Sequence, residues 1–193
     1  KYINQHTNFK VVLNGDYADE VCGGYLYTKL APSTEEFNQE CWRLVKDICY
    51  FDSLRSDRTI CAWELEARAP FADKEFVRYY LNLDPHTSSP SGKPEKYLLR
   101  KAFDGTGLIP DEVLWRRKEA FSDGVSSTDR SWYQIIQERQ GEGGEEEYYK
   151  KLFCEFYGEK YMSVIPYKWM PKWCQTNDPS ARTLDIYLKD KGQ

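Results

Sequence analysis

Phe9-Lys-Val-Val-Leu-Asn-Gly-Asp-Tyr-Ala-Asp-Glu-Val-Cys-Gly-Gly-Tyr25 passes from a β-branched apolar run into an acidic turn and then into a short helical pattern broken by two glycines. The run Phe9 to Leu13, bounded by Asn14-Gly15, reads as a buried strand ending in a tight turn. Asp16, Asp19 and Glu20 fall where the next helix begins, close to its exposed N–H groups. At the carboxyl end of a parallel strand, such a turn is where open α/β sheets bind ligands. The same spacing equally fits an ordinary surface helix with an acidic first turn.

No other segment reads as a strand. A lone strand leaves its backbone donors and acceptors unpaired, so the rest of its sheet is expected upstream of Lys1. The chain then reads as the back half of an α/β domain, mostly α-helical with one recognisable strand. Exposed apolar surface around Val11 to Leu13 and marginal stability of the isolated chain are expected.

Downstream, Ser33-Thr-Glu-Glu36 is a capping box, and Phe37, Cys41, Leu44, Ile48, Asp52 and Arg55 recur at helical spacing. The last two are charged continuations of an apolar stripe. A charge on an inward face needs a partner or a ligand, while the spacing alone also accommodates a plain Asp52–Arg55 pair at i, i+3. Trp63 to Arg68 reads as a helical turn ended by Pro70, and Asp73 caps a helix through Phe76, Tyr80 and Leu83. Pro85 to Pro94 reads as a loop. Pro94 opens a helix that Gly105 ends, and Pro110 opens a short one to Trp115. Helices are expected from Ser131 to Arg139 and from Glu145 to Tyr157. The glycines between them do not make a phosphate cradle, because three glutamates follow directly. The prolines of Ile165 to Trp173 predict an extended tail across the surface.

The length of 193 residues suits one domain. With 40% hydrophobic and 30% charged residues and 15 Tyr, 9 Phe and 6 Trp, the composition is that of a globular chain with a real core. A net charge of −4 excludes a broad electrostatic grip on nucleic acid. The 6 cysteines contain no CxxC pair and the 2 histidines stand apart, so no zinc site is expected. Four cysteines sit among apolar residues in helix-like segments, which predicts free buried thiols in place of disulfides and a reducing, cytosolic setting. Neither a signal peptide nor an apolar run of about 20 residues occurs, so no membrane association is expected.

The segment Val12 to Tyr25 resembles the Ser-Gly-Glu-Gly-x-Asp-Glu-x-x-x-Gly-Gly-Tyr motif of the asparagine synthetases. Further landmarks of that family follow in order: Ala31-Pro32, Asp52-x-x-Arg55, Ala62-Trp-x-x-Glu-Ala-Arg-x-Pro-Phe-x-Asp73, Glu95-Lys-x-x-Leu-Arg100, Trp115-Arg-x-Lys-Glu-x-Phe-Ser-Asp-Gly124 and Asp178-Pro-Ser-x-Arg182. A β-lactam synthetase shares the fold and the adenylation chemistry of this family but not the match at Trp115 to Gly124. The resemblance implies an adenine nucleotide alpha hydrolase-like parent fold, the ATP-pyrophosphatase type of synthetase domain, of which residues 1–193 are the C-terminal part. It implies a carbon–nitrogen ligase: ATP adenylates the side-chain carboxylate of aspartate, and ammonia drawn from glutamine displaces AMP.

By the same resemblance, Asp19 is a magnesium–pyrophosphate ligand, Asp16 stands at the position of the catalytic glutamate, and Lys118 stabilises the phosphates and the adenylate. Asn14 and Gly15 border the nucleotide, and Asp52, Arg55 and Arg68 serve phosphate or aspartate. ATP and Mg2+ are the implied cofactors. Aspartate, ATP and ammonia are the implied small-molecule partners, with an upstream glutaminase domain and a homodimer as protein partners. Two departures stand out: Asp16 is one methylene shorter than the family's glutamate, and Tyr17 replaces a glycine. The family's Ser-Gly-Gly-x-Asp-Ser pyrophosphate loop and glutaminase cysteine are missing from the 193 residues, so the chain by itself is not expected to make asparagine. The other reading is a non-catalytic binding or regulatory module on the same scaffold.

Overall fold

In the computed structural model, residues 1–50, 52–119, 130, 132–141, 144–164, 171, 173 and 174 are described. The chain divides into two units, one of Lys1–Arg116 with Trp169–Gln193, the other of Arg117–Lys168.

In the first unit, helix α1 (Tyr2–His6) precedes strand β1 (Val11–Leu13). The strand is not alone. It pairs in parallel with β2 (Glu66–Arg68), Val11 opposite Glu66, Val12 opposite Ala67 and Leu13 opposite Arg68. Hydrogen bonds from Glu66 N to Lys10 O at 2.8 Å and from Asn14 N to Arg68 O at 2.9 Å extend the ladder at both ends. The helical turn expected over Trp63 to Arg68 thus stops early. Glu64 takes a left-handed φ of 55°, and the chain straightens ahead of Pro70, whose ring disfavours helix in the residue before it. Phe9, Val11 and Leu13 are exposed, as expected for a strand at an uncovered sheet.

Between the strands lie α2 (Ala18–Val21), a 3-10 segment (Leu26–Leu30), α3 (Thr34–Asp47) and α4 (Ser53–Cys61). Ser33 Oγ accepts from Glu36 N at 3.2 Å and caps α3. Phe37, Cys41 and Leu44 are buried along α3, and Ile48 in the 3-10 turn after it. Phe37 and Cys41 join Val21, Cys22, Tyr80 and Leu81 in the core. The ring of Phe37 lies so close to Gly23 that a Cβ there would meet it at 2.4 Å, and Gly23 also has a φ of +63°. The apolar stripe does not run on as one helix into Asp52 and Arg55. It breaks at Ile48–Tyr50, and Asp52 sits at the N-cap of α4.

Helix α5 (Lys74–Leu81) is capped by Asp73, whose Oδ1 accepts from Glu75 N and Phe76 N at 3.0 Å each. The supposed loop after it begins with one helical turn, α6 (Pro85–Ser88), because Asp84 Oδ1 accepts from His86 N at 2.9 Å and Pro85 suits a first helical position. Helices α7 (Tyr97–Phe103) and α8 (Asp111–Leu114) follow. In the second unit, α9 (Trp132–Gln140) packs on α10 (Gly144–Tyr157), followed by a 3-10 segment (Glu159–Val164).

All 6 cysteines are free, but only Cys22, Cys41 and Cys174 are buried, while Cys49 and Cys61 are exposed. Among the described residues no helix is long and apolar enough to cross a membrane. Of the aromatic tail, 165–170 and 172 lie outside the described residues. Trp173 Nε1 donates to the Tyr27 carbonyl at 3.4 Å, and Pro171 and Cys174 are buried.

Leu44 is fully buried in the middle of α3, so Leu44→Ala is expected to cost about 2–5 kcal/mol in equilibrium urea unfolding. Lys46→Ala, on the exposed side of the same helix, is expected to stay within about 0.5 kcal/mol.

Candidate active site

The turn after β1 is built by Asn14. Its Oδ1 accepts from Asp16 N at 3.4 Å, and its Nδ2 donates to Asp16 Oδ2 and to Ser56 Oγ, each at 3.1 Å. One side chain therefore closes the turn, orients the Asp16 carboxylate and ties both to α4. Gly15 is exposed, and a Cβ there would meet nothing within 4 Å, so its backbone is open to a ligand. Tyr17 adopts φ +73° in the left-handed region, a conformation that glycine takes freely and that costs a side-chain-bearing residue about 1–2 kcal/mol. The turn thus keeps a shape that glycine would favour. Its ring packs against the Val21–Phe37 core, which returns part of that cost.

Asp19 and Glu20 stand in the first turn of α2 and face different surroundings. Asp19 Oδ1 takes an ion pair from Lys96 Nζ at 2.8 Å, across 77 residues of chain. Gly24 leaves room for this carboxylate, since a Cβ on it would lie 1.8 Å from Asp19 Oδ1 and 3.0 Å from Asp19 Cα. Glu20 is 2% exposed and accepts from the Tyr25 hydroxyl. Burial raises its pKa, Tyr25 opposes that rise, and the charges of Asp19 and Asp52 add to it. Burial first, and then Glu20 itself, push the Tyr25 phenol well above its ordinary value, so that it remains a donor.

Asp52 and Arg55 stand at the start of α4, the helix whose Ser56 meets Asn14 of the turn. They are paired with each other: Arg55 Nε donates to Asp52 Oδ1 at 3.1 Å and Nη2 donates to the same oxygen. The inward placement expected of both is corrected for Arg55, whose side chain is 66% exposed, against 24% for Asp52. The break at Ile48–Tyr50 turns α4 out of the stripe of α3. The hydrogen bond to Asp52 raises the Arg55 pKa, and the charge of Asp16 adds to that rise. Arg68, on β2 beside Leu13, points a largely exposed guanidinium at Glu66, 2.5 Å away. Lys118 is half-buried and belongs to the second unit.

The first unit therefore brings together Asn14, Gly15, Asp16, Asp19, Asp52 and Arg55, with Arg68 on the adjoining strand. Sequence reading missed Ser56, Tyr25 and Lys96. Lys96 lies in the Glu95-Lys landmark, but no spacing links it to Asp19. Chemically, the turn offers hard carboxylate oxygens beside an open glycine backbone, with the cations of Arg55 and Lys96 alongside. Asp19 is a donor of the kind magnesium takes, since that ion uses one or two carboxylates and fills its shell with phosphate oxygens and water.

A model of the family described as asparagine synthase matches residues 28–162. The proteins named asparagine synthetase [glutamine-hydrolyzing] from Gallus gallus, Bos taurus and Homo sapiens are 42%, 41% and 40% identical to the chain over 207 aligned positions. Each alignment covers 97% of this chain and 37% of the relative. The chain thus spans little more than a third of the length of these curated relatives, and the acidic turn before residue 28 is matched by them and not by the family model.

Gly24→Ala is expected to drive the Asp19 carboxylate off Lys96 and to cost about 1–3 kcal/mol in urea unfolding, whereas Gly15→Ala, with open space around it, is expected to cost under about 0.5 kcal/mol. Because the folded-state pKa of Glu20 lies above its value of 4.5 in the open chain, folding favours its neutral form. That contribution is complete below 4.5 and is lost as the pH rises through the raised folded value. Gln can keep the Tyr25 hydrogen bond without a charge. Thermal melts of Glu20→Gln are therefore expected to fall less steeply with rising pH than those of the natural chain, and the gap is expected to widen toward neutrality.

Proposed function

We propose, from the premise that this chain belongs to the asparagine synthase family, that it forms part of the synthetase centre of a glutamine-dependent asparagine synthetase. The observation that carries this reading is the Asn14–Asp16–Asp19 turn at the carboxyl end of a parallel strand, flanked by Arg55 and Lys96. Such a turn suits a nucleotide whose reacting phosphate must be held among both charges. The parent architecture in this reading is the adenine nucleotide alpha hydrolase-like fold, to which β1 and β2 would contribute two strands.

The reaction proceeds in two steps. The β-carboxylate of aspartate attacks the α-phosphorus of ATP, forming an acyl-adenylate and releasing pyrophosphate. Ammonia then adds to the acyl carbon, and AMP leaves with the bond to the acyl oxygen broken, giving asparagine. Asn14 and the open backbone of Gly15 border the nucleotide. Asp16, held by Asn14, faces the reacting centre and takes a proton from the adding ammonia, at one methylene less reach than glutamate would have. Asp19 would hold a magnesium ion, whose charge would neutralise the departing phosphates. Lys118 stabilises the phosphates and the adenylate, and Asp52, Arg55 and Arg68 orient phosphate or aspartate. Both arginines are already fixed by carboxylates, so a bound anion would have to compete with Asp52 and Glu66 for them.

Ammonia reaches this centre from an upstream glutaminase domain, and the protein acts as a cytosolic homodimer in the same reading. A non-catalytic binding module is the competing view, and the shortened Asp16 favours it. The backbone at Tyr17 speaks for the enzyme, because it keeps a left-handed conformation that a glycine takes freely.

The full-length protein is expected to exchange labelled pyrophosphate into ATP only when aspartate and magnesium are both present. Lys118→Ala is expected to lower that exchange by about 100-fold or more, the usual cost of removing one preorganised charge from the reacting group. A folded full-length protein with no exchange would instead count against the enzyme and favour the binding module.

A further inference from the structure

Asn14 is held by the sheet, by its own turn and by α4, all within the first unit. Its backbone N–H donates to Arg68 O at 2.9 Å, so the end of β2 fixes where the residue stands. Its side-chain oxygen accepts from Asp16 N at 3.4 Å, the short ring that an asparagine closes with the residue two positions on. Its side-chain nitrogen donates to Asp16 Oδ2 and to Ser56 Oγ at 3.1 Å each, and Ser56 stands in α4, 42 residues along the chain.

The chemistry of an amide leaves one way to fill this set. A carboxylate only accepts, so the group of Asn14 that faces Asp16 is the NH2 and not the oxygen. That NH2 has two hydrogens. One goes to Asp16, and the other needs an acceptor, because Asn14 is half-buried and an unmatched donor there is costly. Ser56 Oγ is that acceptor. Without it the amide gains by turning its N–H groups toward water, and the same rotation draws the other hydrogen away from Asp16. Ser56 thus decides where the amide points, and the amide decides where the Asp16 carboxylate points. Displacing a reacting group by about 1 Å costs up to about 100-fold in rate, so the aim of that carboxylate matters.

We infer that Ser56 is a positioning residue for Asp16, acting through the Asn14 side chain. The inference rests on the proposed role of Asp16, which takes a proton from the adding ammonia, and it confines the effect of Ser56 to the second step. Adenylation of aspartate calls on Asp16 for no proton in that reading. A residue acting through Asp16 therefore affects amide formation and spares adenylation, whereas a general structural role would affect both.

The test uses the full-length protein with two readouts: aspartate-dependent ATP–pyrophosphate exchange for the first step, and asparagine formation from ammonium chloride, without glutamine, for the second. Ser56→Ala is expected to lower kcat for asparagine formation by about 10-fold and to leave the exchange rate within about 2-fold. Ser56→Thr keeps the oxygen and is expected to stay within about 2-fold of the natural protein in both. Ser56→Val has the shape of that variant without the oxygen and is expected to lose as much as Ser56→Ala; the Thr and Val pair decides if melting shows Ser56→Ala unfolded. Equal losses in the two readouts, no loss of asparagine formation in Ser56→Ala, or as large a loss in Ser56→Thr, would overturn the role of Ser56 and leave that of Asp16 intact. Undiminished asparagine formation by Asp16→Asn would overturn the proposed role of Asp16, and the inference with it. A folded natural protein that exchanges no pyrophosphate would overturn the enzyme reading and the inference together.

Discussion

Three glutamates are buried in the first unit, Glu20, Glu40 and Glu95, and an isolated buried carboxylate costs several kcal/mol. One stretch of chain answers all three. Tyr25 donates to Glu20, Tyr27 donates to Glu40 at 2.9 Å, and Lys29 pairs with Glu95. Tyr25 and Tyr27 stack nearly parallel, 5.7 Å between centroids, and Arg43 completes the Glu40 site with a two-point grip. Because the glutamates belong to α2, to α3 and to the head of α7, the segment Tyr25–Lys29 fastens these elements to one another. Moving any of them would leave a carboxylate in apolar surroundings without its donor.

The geometry of the acidic turn inherits this arrangement. Glu20 faces inward to Tyr25, and its neighbour Asp19 is thereby turned to Lys96, which the adjacent Glu95–Lys29 pair holds in place. The parallel pairing of β1 with β2 acts from the other side. It closes a crossover of helices and brings the amino end of α4 to the turn, where Ser56 meets Asn14 and Asp52 meets Arg55. Tyr17 is the one residue in the turn whose backbone opposes its own side chain. Its packing on the core is the compensation.

Much of this was legible in the residues themselves. The caps at Ser33 and Asp73, the buried stripe Phe37–Cys41–Leu44, the strand ending at Asn14-Gly15, the helix stop at Gly105 and the exposed apolar face of β1 follow from contacts between near neighbours in the chain. The ordered landmarks carried the family, and the paired Asp52 and Arg55 were within reach of i, i+3 spacing. Strand β2 was hidden because Glu66-Ala-Arg68 has no apolar alternation, and the turn at Pro85 because four residues, Pro85–Ser88, are too short to show a helical period.

The sequence by itself determined the local elements, the family and the set of polar residues worth watching, because capping and periodicity act over one or two helical turns and are written in adjacent residues. Only the tertiary structure decided what those residues meet. Lys96 finds Asp19 across 77 residues, Arg100 finds the carbonyls after α8, β1 finds β2, and alternate residues of Tyr25–Lys29 find three glutamates on separate elements. The physical reason is that a charge or a strand edge specifies the kind of partner it needs and not where along the chain that partner lies. Burial of the shared core makes that choice, since each of these groups must be satisfied at once in a single packing.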